Sequence, residues 1–301
     1  MCSSEKNVQT RLKKCLFIYK GVGMQKYNLK PIWTASIEIY KEVERICLKH
    51  NLCMYVGAGT VLGAVRHGGF IPWDDDIDVL MPREDYERFW VIAKTELPKM
   101  YKAVTYKLDH SYPYPFGKIY ETREDVISQL RKESCLTLPD GISVDVFPLD
   151  GCPKSDFANF VWRVHAAVYK AVYWSYGEAP DRSVRLFYRM KYWFGRSLKF
   201  LFSKHYDAYK LFCKIDEIIQ KYDFKTSYYG GVIGNEYGER AWRMPVTIYG
   251  KGKTVKFEDT TVIVPDDCDA YLRCVYGDYM KLPPIEERHP KHLLAASSQF
   301  K

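Results

Sequence analysis

Four aspartates fall within five residues in the run Gly69-Phe-Ile-Pro-Trp-Asp74-Asp75-Asp76-Ile77-Asp78-Val79. Carboxylates this close repel one another, and without a cation some are driven toward the neutral form. Ile77 and Val79 alternate with Asp76 and Asp78, so the segment reads as a strand whose acids share one face while the aliphatics enter the core. Two carboxylates side by side make half of a site for a hard divalent cation, which takes oxygen ligands. The competing readings are an inert acidic turn and a calcium loop. An EF-hand loop needs a glycine after its acids and a glutamate at its twelfth position, whereas this run continues into Met81-Pro82.

A third ligand has to come from elsewhere in the sheet. Asp145 is a lone acid in the apolar stretch Ile142-Ser-Val-Asp-Val-Phe-Pro. Its charge is costly there unless it is metal-bound or paired with a base. Asp150, after Pro148-Leu149, reads as a turn residue. Upstream, Gly57-Ala-Gly59-Thr60 separates a short apolar run from a helix start, and such a turn offers backbone N–H groups to a phosphate. Strand, Gly-Thr turn, short helix, then Asp-hydrophobic-Asp on the next strand is the order found in the nucleotidyltransferase fold.

The elements that must position these residues follow from periodicity and breakers. Residues 1–30 read as a basic arm or a loosely docked extension. Pro31 opens a helix whose apolar face carries Trp33, Ile37, Tyr40, Val43 and Cys47, ending near Asn51. Strands are expected at 53–57, 77–81, 101–108, 116–120, 126–130 and 142–147, and helices at 61–66 and from Pro82 to about Thr95. Residues 31–150 are thus a mixed α/β (α+β) catalytic core. Residues 151–225 read as a helical insertion, and 226–301 as strands near 228–233, 255–257 and 261–264, a helix over 266–275 and a tail that completes the site. Within 182–225 eleven Lys/Arg stand against four Asp/Glu, and Lys191–Phe202 has the composition of an interfacial membrane segment or of a core-packed helix with snorkelling lysines.

Composition narrows the function classes. The 301 residues are 47% hydrophobic and 27% charged, a globular balance with enough chain for a full core. No apolar run of transmembrane length and no signal-peptide pattern is present, so the cytoplasm is the expected compartment, with the inner face of the membrane as a contact. Nine scattered cysteines without a C-x-x-C pair fit free thiols better than a disulfide framework or zinc site. The net charge of +8 suits anionic ligands such as nucleotides, phospho-sugars or a membrane surface; no nucleic-acid recognition motif accompanies it. Aromatics, at 16%, serve core packing, sugar stacking or a cage for a cationic ligand.

The run Gly59-Thr-Val-Leu-Gly-Ala-Val-Arg66-His-Gly-Gly-Phe-Ile-Pro-Trp-Asp-Asp-Asp-Ile-Asp78 resembles the LicD family of phosphotransferases, to which the fukutin-type proteins are related. Pro82-Arg-Glu-Asp-Tyr86, Gly117-Lys118-Ile, Ser143-Val-Asp145-Val-Phe-Pro-Leu-Asp150 and Tyr276-Gly-Asp-Tyr-Met-Lys-Leu-Pro-Pro284 extend the resemblance over about residues 32–292. The resemblance implies a nucleotidyltransferase-like mixed sheet with flanking helices. It also implies transfer of phosphocholine from CDP-choline, or of another phospho-alcohol such as ribitol phosphate, onto sugars of teichoic acid, capsule or lipopolysaccharide or their lipid-linked precursors.

On that basis Asp76, Asp78 and Asp145 are the expected ligands of Mg²⁺ (or Mn²⁺) and the catalytic acids. Gly59, Thr60, Arg66, Lys118, Arg288, His289 and His292 are expected to hold the donor. Arg66 and Lys118 could equally pair with acids or face solvent, and 288–292 could be a solvated tail. If choline is moved, its quaternary ammonium needs an aromatic surface, and Trp73 and Tyr114, with Tyr112 and Phe116 beside the latter, are placed for it. An NMP-transferring nucleotidyltransferase and a non-catalytic binding protein are the alternatives.

Overall fold

The computed structural model describes residues 28–110, 112, 114–134, 141–175, 186–202, 207–233 and 238–290. Helix α1 (Lys30–His50) begins at a proline, the residue already shaped for a first turn. Ile32, Ile39, Tyr40, Val43, Ile46 and Cys47 recur at helical spacing and are buried. Asn51, left-handed at φ 51°, ends it and donates its N–H to the Cys47 and Leu48 carbonyls.

Strand β1 (Tyr55–Val56), α2 (Ala58–His67), β2 (Asp78–Pro82), α3 (Arg83–Glu96), β3 (Tyr101–Val104), β4 (Gly117–Glu121), α4 (Glu124–Ser134) and β5 (Ser143–Cys152) follow. The sheet order is β1-β2-β5-β4-β3. Only β2 and β5 run parallel; the other pairings are antiparallel. The ten-residue β5 is the spine: it pairs with β2 and β4, and its end pairs with β6 (Tyr229–Gly231), which in turn pairs with β7 (Met244–Pro245). The architecture is mixed α/β, a seven-stranded sheet flanked by helices. Helices α1 and α3 pack on it, and Gly117 leaves the space that the Trp90 ring of α3 occupies.

Two expectations are corrected. The stretch 126–130 is not a strand but the middle of α4. Its β-branched Val126-Ile127 pair imitated a strand, yet Ile127 and Leu130 are buried three residues apart, a helical spacing. Asp150 is not a turn residue: it lies in β5 and is 1% exposed. In addition, β3 stops at Val104 rather than 108, and β2 begins at Asp78, which leaves Asp76 in the preceding loop.

Helices α5 (Asp156–Trp174), α6 (Leu186–Phe202) and α7 (Ala208–Ile219) occupy the predicted helical stretch, with α5 packed on both others. Gly195 lets α6 approach the Ala171 carbonyl of α5. Trp162, Ala166, Ile218 and Trp242 form a small second core, and the Trp162 indole donates to the Ile218 carbonyl at 2.8 Å. A short helix α8 (Glu239–Trp242), the hairpin β8 (Lys253–Phe257) and β9 (Thr260–Val264), and α9 (Cys268–Tyr276) complete the described chain. The six cysteines among the described residues are free thiols. No described helix is long and apolar enough to cross a membrane.

The helical segment is tied to the sheet by a buried ionic cluster. Arg83 donates to both oxygens of Asp150, at 2.8 and 2.6 Å, and to Asp216 of α7 at 3.2 Å. The Tyr106 hydroxyl donates to the other Asp216 oxygen at 2.5 Å. Removing the central guanidinium strands two buried carboxylates. Arg83→Ala is therefore expected to lose about 3–5 kcal/mol of stability, measured by urea unfolding, with Arg83→Lys recovering only part because it lacks the two-pronged donor geometry.

Candidate active site

The β2–β5 register sets Asp78 opposite Asp145, and the β5–β4 register sets Lys118 opposite Asp145. Directly paired residues point to the same side of a sheet, so the three side chains form one row across neighbouring strands spaced about 4.8 Å apart. The Lys118 ammonium lies 2.7 Å from one Asp145 oxygen and 2.9 Å from the other. The next row along the same strands is apolar: Leu80 is opposite Phe147, and Phe116 packs on Phe147 with centroids 4.3 Å apart.

Gly59 and Thr60, expected in a turn, lie in the first turn of α2, which buttresses this row. Thr60 accepts the Asp78 N–H on its hydroxyl at 3.0 Å, and the Gly57 N–H donates to the Asp78 carbonyl at 2.9 Å. Ala58 adopts φ 38°, and its N–H donates to the Tyr271 hydroxyl of α9 at 2.9 Å. Gly59 has a steric reason. A Cβ there would stand 2.5 Å from an Asp74 carboxylate oxygen. The first turn of α2 thus lies against a negative charge, which the helix dipole favours.

The loop from Gly68 to Ile77 is held at both ends. The Trp33 indole of α1 donates to the Asp74 carbonyl at 2.7 Å. Phe70 stacks on Trp33 and meets Phe257 of the hairpin edge-on. At the hairpin tip, Glu258 accepts the Phe70 N–H at 2.9 Å and gives its own N–H to the Gly68 carbonyl at 3.0 Å. Gly69 has no side chain because a Cβ would collide with the Glu258 carboxylate.

Charge accumulates in the middle. Carboxylate oxygens of Asp74, Asp75 and Asp76 lie within 4.8 Å of one another. Burial pushes the Asp78 carboxyl well above its ordinary pKa, and Asp76, Asp145 and Asp74 push it further, against the pull of Lys118. Burial alone would lower the Lys118 pKa, but Asp145 beside it more than reverses this and keeps the ammonium charged. Arg66 donates to the Tyr279 carbonyl at 2.6 Å. Burial lowers its pKa and the nearby Arg288 adds to the effect. The Arg288 guanidinium lies over the Trp73 ring at 5.5 Å, which brings residues beyond Pro284 back to the acidic loop. His289 is half-buried, its Nδ1 3.4 Å from the Pro290 carbonyl. His292 lies outside the described residues.

The structure therefore brings Asp76, Asp78, Asp145, Gly59, Thr60 and Lys118 to one region, with Arg66 and Arg288 alongside. Asp74 and Asp75, left without a ligand role by the alternation argument, join Asp76 in the tightest oxygen cluster; the signal was the triple-Asp run itself. Trp33, Glu258 and Tyr271 carried no sequence signal, because each reaches the loop from a distant segment. The aromatic candidates separate. Trp73 already has a cation on its face, with the His67 ring edge-on to it. Tyr114, 37% exposed, sits in a ladder with Tyr112 and Phe116, centroids 5.3 Å apart on either side. Five carboxylates with no soft donors among them fit a hard divalent cation such as Mg²⁺ or Mn²⁺, whose charge would relieve their repulsion.

Residues 51–125 match the family described as LicD/FKTN/FKRP, nucleotidyltransferase domain. That segment, a quarter of the chain, is what the family model recognises. The match takes in the Gly-Thr turn, the acidic run and Lys118, and ends before Asp145. The chain is also 27% identical, over 91% of its length and 99% of the relative, to a protein of Haemophilus influenzae named lipopolysaccharide cholinephosphotransferase LicD. Two uncharacterised proteins of Rickettsia typhi and Rickettsia prowazekii are each 36% identical over 26% and 21% of this chain; those alignments span about a quarter of each relative.

Gly59→Ala tests the packing of the acidic loop. The added methyl must displace the Asp74 carboxylate, so Mn²⁺ affinity, read by isothermal titration calorimetry, is expected to fall several-fold while the thermal midpoint moves little.

Proposed function

We propose that this chain is a LicD-family transferase of phosphate-containing groups that moves phosphocholine from CDP-choline onto a sugar hydroxyl of a cell-surface glycan, or of its lipid-linked precursor, and releases CMP. The observation that supports this reading most is near-full-length likeness to the H. influenzae cholinephosphotransferase in a chain whose acidic run, Asp145 and Lys118 meet beside an exposed aromatic ladder. The site of action in this reading is cytoplasmic.

Asp74, Asp75, Asp76, Asp78 and Asp145 would hold the divalent cation, which when bound neutralises diphosphate charge and stabilises the charge that develops on oxygen during transfer. The chain's own groups do the rest. Lys118, Arg66 and Arg288 bring positive charge to the phosphates. The acceptor oxygen attacks the β-phosphorus in line, the bond from that phosphorus to the CMP oxygen breaks, and a carboxylate of the cluster takes the hydroxyl proton. The Tyr112–Tyr114–Phe116 ladder offers π-faces to the trimethylammonium. Lys118 also sits 5.6 Å from the Phe116 ring, so the cation-binding end of the ladder is the more exposed Tyr114.

The test is incubation with Mg²⁺ and a panel of CDP-choline, CDP-ribitol, CDP-glycerol and CDP-ethanolamine, with a glycan acceptor. CMP release from CDP-choline is the expected result. Pyrophosphate release from a nucleoside triphosphate, without CMP, would support an NMP-transferring enzyme instead. Asp78→Asn and Asp145→Asn are each expected to lower kcat by at least about 10²-fold. Tyr114→Ala should raise KM for CDP-choline by roughly threefold to tenfold and leave KM for CDP-glycerol unchanged.

A further inference from the structure

Helices α5 and α6 carry large apolar side chains on the outside of the molecule. On α5, Phe157, Phe160, Val161 and Val164 recur at three and four residues, so they form one stripe, and Phe157 and Phe160 are 78% and 63% exposed. The opposite face of α5 buries Asn159, Trp162 and Ala166. On α6, Met190, Trp193 and Phe194 repeat the spacing and are each more than half exposed, while Tyr192 and Gly195 point inward, Gly195 onto α5. Each helix thus exposes several large apolar side chains on one face.

Charge identifies what it fits. Helix α6 contains Arg189, Lys191, Arg196 and Lys199 and no acidic residue. Among the described residues, Asp156 at the start of α5 pairs with Arg243 at 2.7 Å, and Glu239 accepts from Asn159 and Arg163 of α5. Exposed Trp, Phe and Met beside arginine and lysine, with no helix among the described residues long and apolar enough to cross a bilayer, is the composition of a surface that lies in a lipid interface. Aromatics enter the headgroup layer and the basic residues meet lipid phosphates.

We infer that the α5–α6 pair docks this protein on an anionic membrane surface. The α7 contact to the Arg83–Asp150 cluster then connects the docked helices to β5, the strand that carries Asp145. The inference is independent of the donor and acceptor proposed above.

Vesicle flotation of the full chain tests it, with neither donor, acceptor nor divalent cation present. The protein is expected to float with phosphatidylcholine vesicles containing phosphatidylglycerol, far less with phosphatidylcholine alone, and to be released by high salt. Trp193→Ser combined with Phe194→Ser, and separately Phe157→Ser combined with Phe160→Ser, should each weaken partitioning about tenfold or more. These side chains are solvated, so circular dichroism melts should match the parent. Arg189→Glu with Arg196→Glu should remove the preference for anionic vesicles, and Asp78→Asn should float as the parent does. Absence of flotation, equal binding to neutral vesicles, or unchanged binding by both aromatic double variants overturns the inference. So does a concentration-dependent dimer in sedimentation velocity that the same substitutions abolish, since the occupant would then be a second copy.

Discussion

Asp74, Asp75 and Asp76 cluster beside the start of β2, with Asp78 and Asp145 in electrostatic reach, and their repulsion in a partly buried place is the force the surrounding structure has to contain. Repulsion between carboxylates grows as water is excluded, because a low dielectric screens it poorly. Each neighbouring element offsets part of it. Lys118 sits on Asp145, the first turn of α2 faces Asp74, and Asp78 is pushed toward its neutral form by burial and by its neighbours. The divalent cation proposed above would offset more of it.

Such a loop would spring apart if it were merely tethered at its ends. Instead, three remote parts of the chain hold its backbone. Trp33 fixes the Asp74 carbonyl, Glu258 takes the Phe70 N–H, and Thr60 receives the Asp78 N–H. None of these contacts uses a carboxylate of the cluster: each holds the loop by its main chain. The Trp33–Phe70–Phe257 aromatic stack closes the other side of the loop and supplies the burial that makes these hydrogen bonds persistent.

The same economy links the site to the helical segment. One arginine, Arg83, joins the start of α3 to the end of β5 and to α7. Helices rich in exposed aromatics would otherwise be free to reorient. This cluster ties them to the strand that carries Asp145.

Much of this was legible in the linear chain because it is local. The acidic run, the Gly-Thr turn and the alternation of Ile77 and Val79 with acids are short-range patterns set by side-chain direction in strands and by turn chemistry. Helix α1 was readable from Pro31 and its apolar face for the same reason. The placement of Asp145 opposite Asp78 depended on the crossover from β2 to β5, a pairing across 67 residues that no local propensity encodes. The misreadings arose where context overrode local type: Val126-Ile127 went into a helix because its apolar positions needed one face, and Asp150 became a buried strand residue because Arg83 was there to receive it. By itself, then, the sequence determined which residues are chemically capable and the class of reaction they suit. Only the tertiary structure decided which acids share a space, which cations are already engaged and which aromatics stay open, because those outcomes depend on long-range packing and on the dielectric that packing creates.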